Sequence, residues 1–288
     1  MISRFTRRAL ATALMAFPLG LAGALNAEPA QRIVSIGGAV TEIVYALGEQ
    51  DRLVARDTTS TFPPEVTELP DIGYIRQLSP EGVLSVDPTL ILTAEGAGPP
   101  EAVALLKQAS IDFAEIPEGF DRAAVLTKIH RVAEVLDVPE KGEALAEEVS
   151  ADLDRAQQAA ADATDGPPRR VLFILSLQGG RIMAGGRETA ADGIIRLSGG
   201  ENSVTGFEGY KPLSDEAVIA AAPDVILLMA REGELAVTDE ALFSHPAILS
   251  TPAGENRSVI RMDGMKLLGF GPRTAEAATD LARALAGD

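Results

Sequence analysis

The 288-residue chain contains no cysteine. Disulfides, thiolate metal sites and cysteine nucleophiles are thereby excluded together, and so is the cysteine to which exported lipoproteins attach their lipid. Histidine is nearly as scarce, with only His130 and His245, too few and too far apart for a usual zinc site. Basic residues are outnumbered, 25 Lys+Arg against 42 Asp+Glu, for a formal charge of −17. Such a surface is a poor partner for nucleic acid and anionic lipid. Catalytic signatures are missing as well. The glycine-rich "GGRIMAGG" has neither the spacing of a dinucleotide fingerprint nor the Lys-Ser/Thr of a phosphate loop, and no G-x-S-x-G elbow or H-E-x-x-H helix occurs.

What is present begins with a leader. In "MISRFTRRALATALMAFPLGLAGALNA", Arg4, Arg7 and Arg8 precede an apolar run closed by small residues, the pattern of a secretory signal peptide rather than a membrane span. Cleavage is expected between Ala24 and Ala27, which makes residues 1–27 the leader. The remainder carries about −20, three units below the −17 of the whole chain. A soluble periplasmic protein without a lipid anchor is the expectation.

Residues 140–165, "EKGEALAEEVSADLDRAQQAAADATD", are rich in Ala, Glu and Gln, with one early glycine and no proline. They predict a single long helix, stopped by "GPP" at 166–168. Before it lie "RIVSIG", "TLILTA" and "DFAEI"; after it come "RRVLFILSL", "DVILLMA" and "SVIRM". Near-continuous apolar strands alternating with amphipathic helices predict parallel sheets covered on both faces. About 260 residues beyond the leader exceed one typical domain. The expected fold is α/β: two lobes with parallel sheets flanked by helices, residues 28–138 and 166–288, joined by one long helix over 139–165.

The chain also repeats itself. "LSPEGVLSVDPTLIL" at 78–92 aligns without a gap on "LSDEAVIAAAPDVIL" at 213–227, and a Gly-Tyr pair precedes each copy. Each copy reads as a loop, a short helix and a buried strand. Ser79 and Ser214 suit the helix N-cap, Pro80 the first helical position, and Glu81 and Glu216 the first turn. Two of the three tyrosines, Tyr74 and Tyr210, stand in these matched loops, while Tyr45 lies on an apolar helix and reads as core. Related lobes would turn the two loops toward one cleft, beyond the carboxyl ends of the strands, where open parallel sheets bind ligands. A first-turn glutamate is also favoured by the helix dipole alone.

Five phrases, "RIVSIGGAVTEIVYALG", "DIGYIRQLSPEGVLSVDPTLIL", "AADGIIRLSGGENSV", "FEGYKPLSDEAVIAAAPDVIL" and "MDGMKLLGFGPRT", run in order along nearly the whole mature chain. With them the chain resembles the periplasmic haem-binding proteins of bacterial ABC haem importers, the HmuT type within the helical-backbone class III of substrate-binding proteins. The resemblance implies a monomer that captures ferric haem between its lobes and delivers it to an inner-membrane ABC permease with its ATPase. It places the axial iron ligand at Tyr74, the alternative being a loop tyrosine packed at the lobe edge. Phenolate is a hard oxygen donor suited to Fe(III), and tyrosine is a known haem ligand. With a reference pKa of about 10, it needs the iron or a cation such as Arg76 to hold that charge.

The same resemblance implies that Glu81 and Glu216 pair with arginines of the permease. It also exposes a departure: some relatives offer a second-lobe histidine as another ligand, and the loop Gln178–Met183 holds none. Tyr210, Met183, Met262 and Met265 are the candidate covers for the open haem face. Arg181, Arg187, Lys211 and Arg273 are candidate partners for the two propionates. His130 reads as a surface or boundary residue, His245 as a capping or core histidine. A corrinoid or ferric-siderophore carrier of the same architecture is the alternative function, and a periplasmic hydrolase is the alternative from another class.

Overall fold

The computed structural model describes residues 31–162, 166–231, 233 and 236–287. The expected leader lies outside them, as do residues 163–165 at the end of the expected long helix.

The first half runs β1 (Ile33–Ile36), α1 (Gly38–Ala46), β2 (Leu53–Arg56), α2 (Pro80–Leu84), β3 (Leu90–Ala94), α3 (Pro100–Gln108), β4 (Asp112–Ile116) and α4 (Arg122–Val135). Its sheet has the order β2-β1-β3-β4, with every neighbouring pair parallel. All residues of β1 and β3 are buried, as continuous apolar runs between two helical layers require.

The single helix α5 (Pro139–Asp162) follows. Its buried residues Gly142, Ala146, Val149, Leu153, Ala156 and Ala160 recur every three or four positions and form one stripe. Where α4 crosses, a Cβ at Gly142 would stand 2.3 Å from that of Ala133, so only glycine admits this approach. The stripe also packs against the last helix of the chain, α12 (Thr274–Ala286). One element thus supports both lobes.

The second half runs β5 (Arg170–Gln178), β6 (Arg181–Gly185), α6 (Ala190–Leu197), β7 (Glu201–Asn202), β8 (Tyr210–Leu213), α7 (Asp215–Ala221) and β9 (Val225–Ala230). Then come α8 (Asp239–Phe243), α9 (Pro246–Leu249), α10 (Pro252–Glu255), β10 (Val259–Asp263) and α11 (Gly264–Leu268), before α12. The sheet order is β10-β9-β5-β6-β8, with β7 beside β5. The expected parallel arrangement is present in β10, β9 and β5, and the correction concerns the edge of the sheet, where β6 runs antiparallel to both β5 and β8. Gly179 and Gly180, at φ 56° and 73°, form the two-residue turn that reverses the chain between β5 and β6. A second correction follows at Tyr210, which begins the edge strand β8 rather than sitting in a loop like Tyr74.

The two lobes meet over polar and aromatic contacts. Arg273 grips Glu42 of α1 through Nε and Nη2 at 3.0 and 2.5 Å. The fully buried Lys128 reaches Glu118 at 3.0 Å and the carbonyl of Gly269 at 3.5 Å. Phe120 and Phe270 meet edge to face at 5.4 Å. Among the described residues no helix is long and apolar enough to cross a membrane.

Both repeat helices start as their serines demand. Ser79 Oγ accepts from the Gly82 N–H and Ser214 Oγ from the Ala217 N–H, each at 3.3 Å. Ser214→Ala is therefore expected to cost about 1 kcal/mol, read as a lowered urea midpoint with an unchanged slope.

Candidate functional site

The loop bearing Tyr74 is held by its backbone, which leaves the side chain free. Gly73, at φ 101°, donates its N–H to Asp71 Oδ1 at 2.8 Å and accepts from the Thr58 N–H at 2.9 Å. The Gln77 N–H donates to Tyr74 O at 2.7 Å, and Gly98 bonds both Ile75 O and the Leu78 N–H at 2.8 Å. Tyr74 itself is 43% exposed. Its side chain lines a cavity of about 270 Å³ with Leu175, Ser176, Leu177 and Gln178 of β5, and with Arg231 and Ala236. A first-lobe tyrosine thus faces the carboxyl end of a second-lobe strand, the place where open α/β sheets receive ligands.

Strand register decides which other residues share this face. Met183 stands opposite Ser176 and Arg181 opposite Gln178, and directly paired residues of antiparallel strands project to the same side. Both therefore project to the side of the sheet on which Ser176 and Gln178 stand. Across the next ladder Met183 pairs with Pro212 and Gly185 with Tyr210, so Tyr210 shares that face while Lys211 alternates to the other. There Lys211 lies over the Phe207 ring at 5.6 Å.

The two Gly-Tyr copies have different chemistry. The Tyr210 ring meets Phe173 edge-on at 6.2 Å. Burial pushes its pKa above the ordinary tyrosine value; hydrogen bonds from the Ala191 amide and the Thr189 hydroxyl, and the charge of Arg76, offset part of that rise. Burial thus favours the neutral phenol at Tyr210. The same interaction places Arg76 within electrostatic reach of the second lobe.

The candidate cations divide by whether a carboxylate already neutralises them. Arg187 pairs with Glu208 at 3.1 Å, and Arg273 with the buried Glu42, beneath the Phe62 ring at 3.7 Å. Both guanidiniums thus already face a carboxylate. The side chains of Arg76 and Arg181 are exposed and make no hydrogen bond or ion pair among the described residues. Arg231, on the cavity wall, contacts only Met229 Sδ at 3.6 Å. The sequence reading missed it, although its place just after the carboxyl end of β9 is a ligand-facing position by the same rule that located the cleft.

The remaining candidates are packed. Met262 lies beside Met229 in the β10–β9 ladder, and Met265 is so close to Gly38 that a Cβ there would stand 2.4 Å from its Cε. Met183 pairs with the cavity-lining Ser176. His130 is exposed, 3.3 Å from Glu143. His245 is buried, with Nε2 at 3.0 Å from the carbonyl of Gly180, and so braces the β5–β6 turn instead of offering a ligand. Glu81 and Glu216 are exposed; bonds from their own N–H and from Ser79 or Ser214 hold both carboxyls below the usual range. Among the described residues no group of three or more His, Asp or Glu could hold a bare metal ion.

Comparison with known proteins extends this outline. The periplasmic heme-binding protein BhuT, solved in complex with two hemes, superposes with a TM-score of 0.85 at 41% identity, covering 89% of this chain and 98% of that one. The ABC transporter substrate-binding lipoprotein YvrC of Bacillus subtilis (strain 168) is 26% identical over 263 residues, 91% of this chain and 81% of its own. A vitamin B12-binding protein of Vibrio parahaemolyticus serotype O3:K6 is 25% identical over 200 residues, 69% of this chain and 70% of its own. Each is named for binding and none for catalysis. The periplasmic binding protein family matches residues 33–265. With that match running from β1 into α11, across both sheets and the helix between them, the chain belongs to the periplasmic binding protein family.

Proposed function

We propose that this protein captures ferric haem in the cleft between its lobes and delivers it, as a periplasmic monomer, to an inner-membrane ABC permease with its ATPase. One observation carries the reading: a solvent-facing phenol on a braced loop, Tyr74, looks into a cavity walled by the other lobe. Phenolate suits ferric iron, and Arg76, two residues on and free of any carboxylate, supplies the cation that favours it. Arg181 and Arg231, which form no ion pair among the described residues, serve the propionates. Met183 and Tyr210 cover the opposite haem face through a thioether and a ring. The likeness to BhuT supports the same cargo.

The cavity of about 270 Å³ lies just below the range usual for small-molecule sites. Titrating the protein with haemin tests the reading: a shifted Soret band and a tyrosinate-to-iron charge-transfer absorption are expected, and the endpoint gives the number of haems bound. The similarity to a B12-binding protein supports a corrinoid carrier as the second reading. Tight cobalamin binding without any spectral response to haemin would establish that one instead.

Arg76→Ala is expected to bind haem at neutral pH but to release it early on acidification. Without the neighbouring cation, protons compete better for the phenolate oxygen, so the release midpoint moves upward by about 1 pH unit. An unchanged midpoint in a stopped acid titration would remove Arg76 from the site.

A further inference from the structure

Six methionines occur in the sequence. Met1 and Met15 fall in the expected leader, and the other four, Met183, Met229, Met262 and Met265, all stand in the second lobe, on β6, β9, β10 and α11. Each is half-buried. Cysteine is absent, so these thioethers are the only sulfur that the chain beyond the leader offers to an oxidant. Three have partners within their own lobe. Met183 pairs with Ser176 across the β5–β6 ladder, Met229 Sδ accepts from Arg231 Nη2 at 3.6 Å, and Met262 lies beside Met229 against the core. Met265 differs, because it crosses to the first lobe. A Cβ at Gly38, the first residue of α1, would stand 2.4 Å from Met265 Cε and 2.8 Å from Thr59 O. Only glycine leaves room there for a methyl group from the other lobe.

The segment that Met265 touches is the one that braces Tyr74. The Gly38 N–H donates to Thr59 Oγ1 at 3.2 Å, and Asp57 Oδ2 fixes Thr59 by accepting its N–H at 3.0 Å and its hydroxyl at 2.6 Å. One residue back, the Thr58 N–H donates to Gly73 O at 2.9 Å and the Thr58 hydroxyl to Asp71 Oδ1 at 3.2 Å. Gly73 immediately precedes Tyr74. On the other side of the loop, a Cβ at Gly37 would stand 3.6 Å from Ile75 Cδ1. A displacement at the Met265 methyl therefore reaches the Tyr74 backbone through Thr59, Thr58 and a single hydrogen bond.

We propose that Met265 is a reversible oxidation site whose sulfoxide unseats the Tyr74 loop and so lowers the hold on ferric haem. The proposal rests on the haem-capture reading and deepens it with a control of the same site. Hydrogen peroxide supplies the oxygen: an S–O bond forms, the peroxide O–O bond breaks, sulfur gives up two electrons, and water leaves. A flexible apolar side chain thereby becomes polar. The sulfoxide oxygen accepts hydrogen bonds and donates none, and the gap it enters presents another acceptor, Thr59 O. The nearest amide, that of Gly38, is already given to Thr59 Oγ1. An oxygen left there without a donor pushes the joint apart. Methionine sulfoxide reductases reverse the step, taking two electrons from a pair of thiols and releasing the oxygen as water. Ferric haem and peroxide react together to generate further oxidants, so a carrier that stops loading under peroxide keeps the two apart.

The test treats the full protein with hydrogen peroxide in the absence of haem and follows each methionine by peptide mass spectrometry. Conversion of Met265 to the sulfoxide is expected to weaken haemin binding about tenfold, the equivalent of one buried oxygen left without a donor. Amide exchange at Thr58 should quicken in the same ligand-free sample. Reductases for both sulfoxide epimers, with a thiol reductant, are expected to restore both readouts, which damage to Tyr74 itself would not permit. Met265→Leu, similar in volume, is expected to keep the parent affinity and lose the peroxide response. The proposal is overturned if Met265 stays reduced while Met183 or Met229 oxidises, if its sulfoxide leaves haemin affinity or Thr58 exchange unchanged, or if Met265→Leu responds to peroxide as the parent does. Should the untreated protein bind no haemin, the haem-capture reading fails, and Thr58 exchange still decides whether Met265 controls the loop.

Discussion

Replacing Tyr74 with phenylalanine is expected to abolish the tyrosinate-to-iron absorption of the haem-loaded protein and to weaken ferric haem binding by more than about 100-fold. Loss of a mere outer-shell partner typically costs roughly 10- to 100-fold, and Tyr74→Phe removes the donor oxygen itself. The fold should survive, because the Tyr74 side chain makes no hydrogen bond among the described residues and is 43% exposed. Unfolding curves of the variant and the parent should therefore coincide. Tyr210→Phe is the internal control. Burial holds its pKa above the ordinary value, so its loss should leave the absorption in place. The opposite pattern, absorption kept by Tyr74→Phe and lost with Tyr210→Phe, would transfer the iron to the other half of the repeat.

The largest stability effect is expected at the lobe contact. Arg273→Ala leaves the buried carboxylate of Glu42 without its partner, and stranding one member of a buried pair costs about 3–5 kcal/mol. Urea unfolding at pH 7 measures it. Burial already pushes the Glu42 pKa above the ordinary carboxylate range, against the hydrogen bond and charge of Arg273. A carboxyl whose folded pKa exceeds its unfolded one loses stability as pH rises between the two values, and removing Arg273 raises the folded value further. The deficit of the variant should hence be smallest near pH 4 and grow toward neutrality. A small deficit that does not change with pH would mean that the pair is structurally incidental.

Much of the architecture was legible because it is written in short windows. "TLILTA" and "DVILLMA" are continuous apolar runs that suit only strands covered on both faces; they became β3 and β9 at the centres of their sheets. The alanine- and glutamate-rich stretch became the single helix α5, and Ser79 and Ser214 cap the helices their positions announce. The Gly-Gly turn between Gln178 and Arg181 was also on view, but it was read as a cleft loop, and the antiparallel half of the second sheet was missed with it.

The sequence by itself determined the elements, the repeat and the tyrosine in the braced loop, since propensity, capping and apolar period act over a few neighbouring residues. Tertiary structure alone decided which charges remain free. Arg273 is neutralised by Glu42, 231 positions away, Lys211 is turned aside by strand alternation, and Arg231 is carried to the cavity wall by the end of β9. It also separated two tyrosines that read alike, because the Tyr210 ring packs on Phe173 and beside Gly185, which other strands bring to it. A cation's partner and a phenol's environment are set by distance in space, and no local pattern encodes that distance.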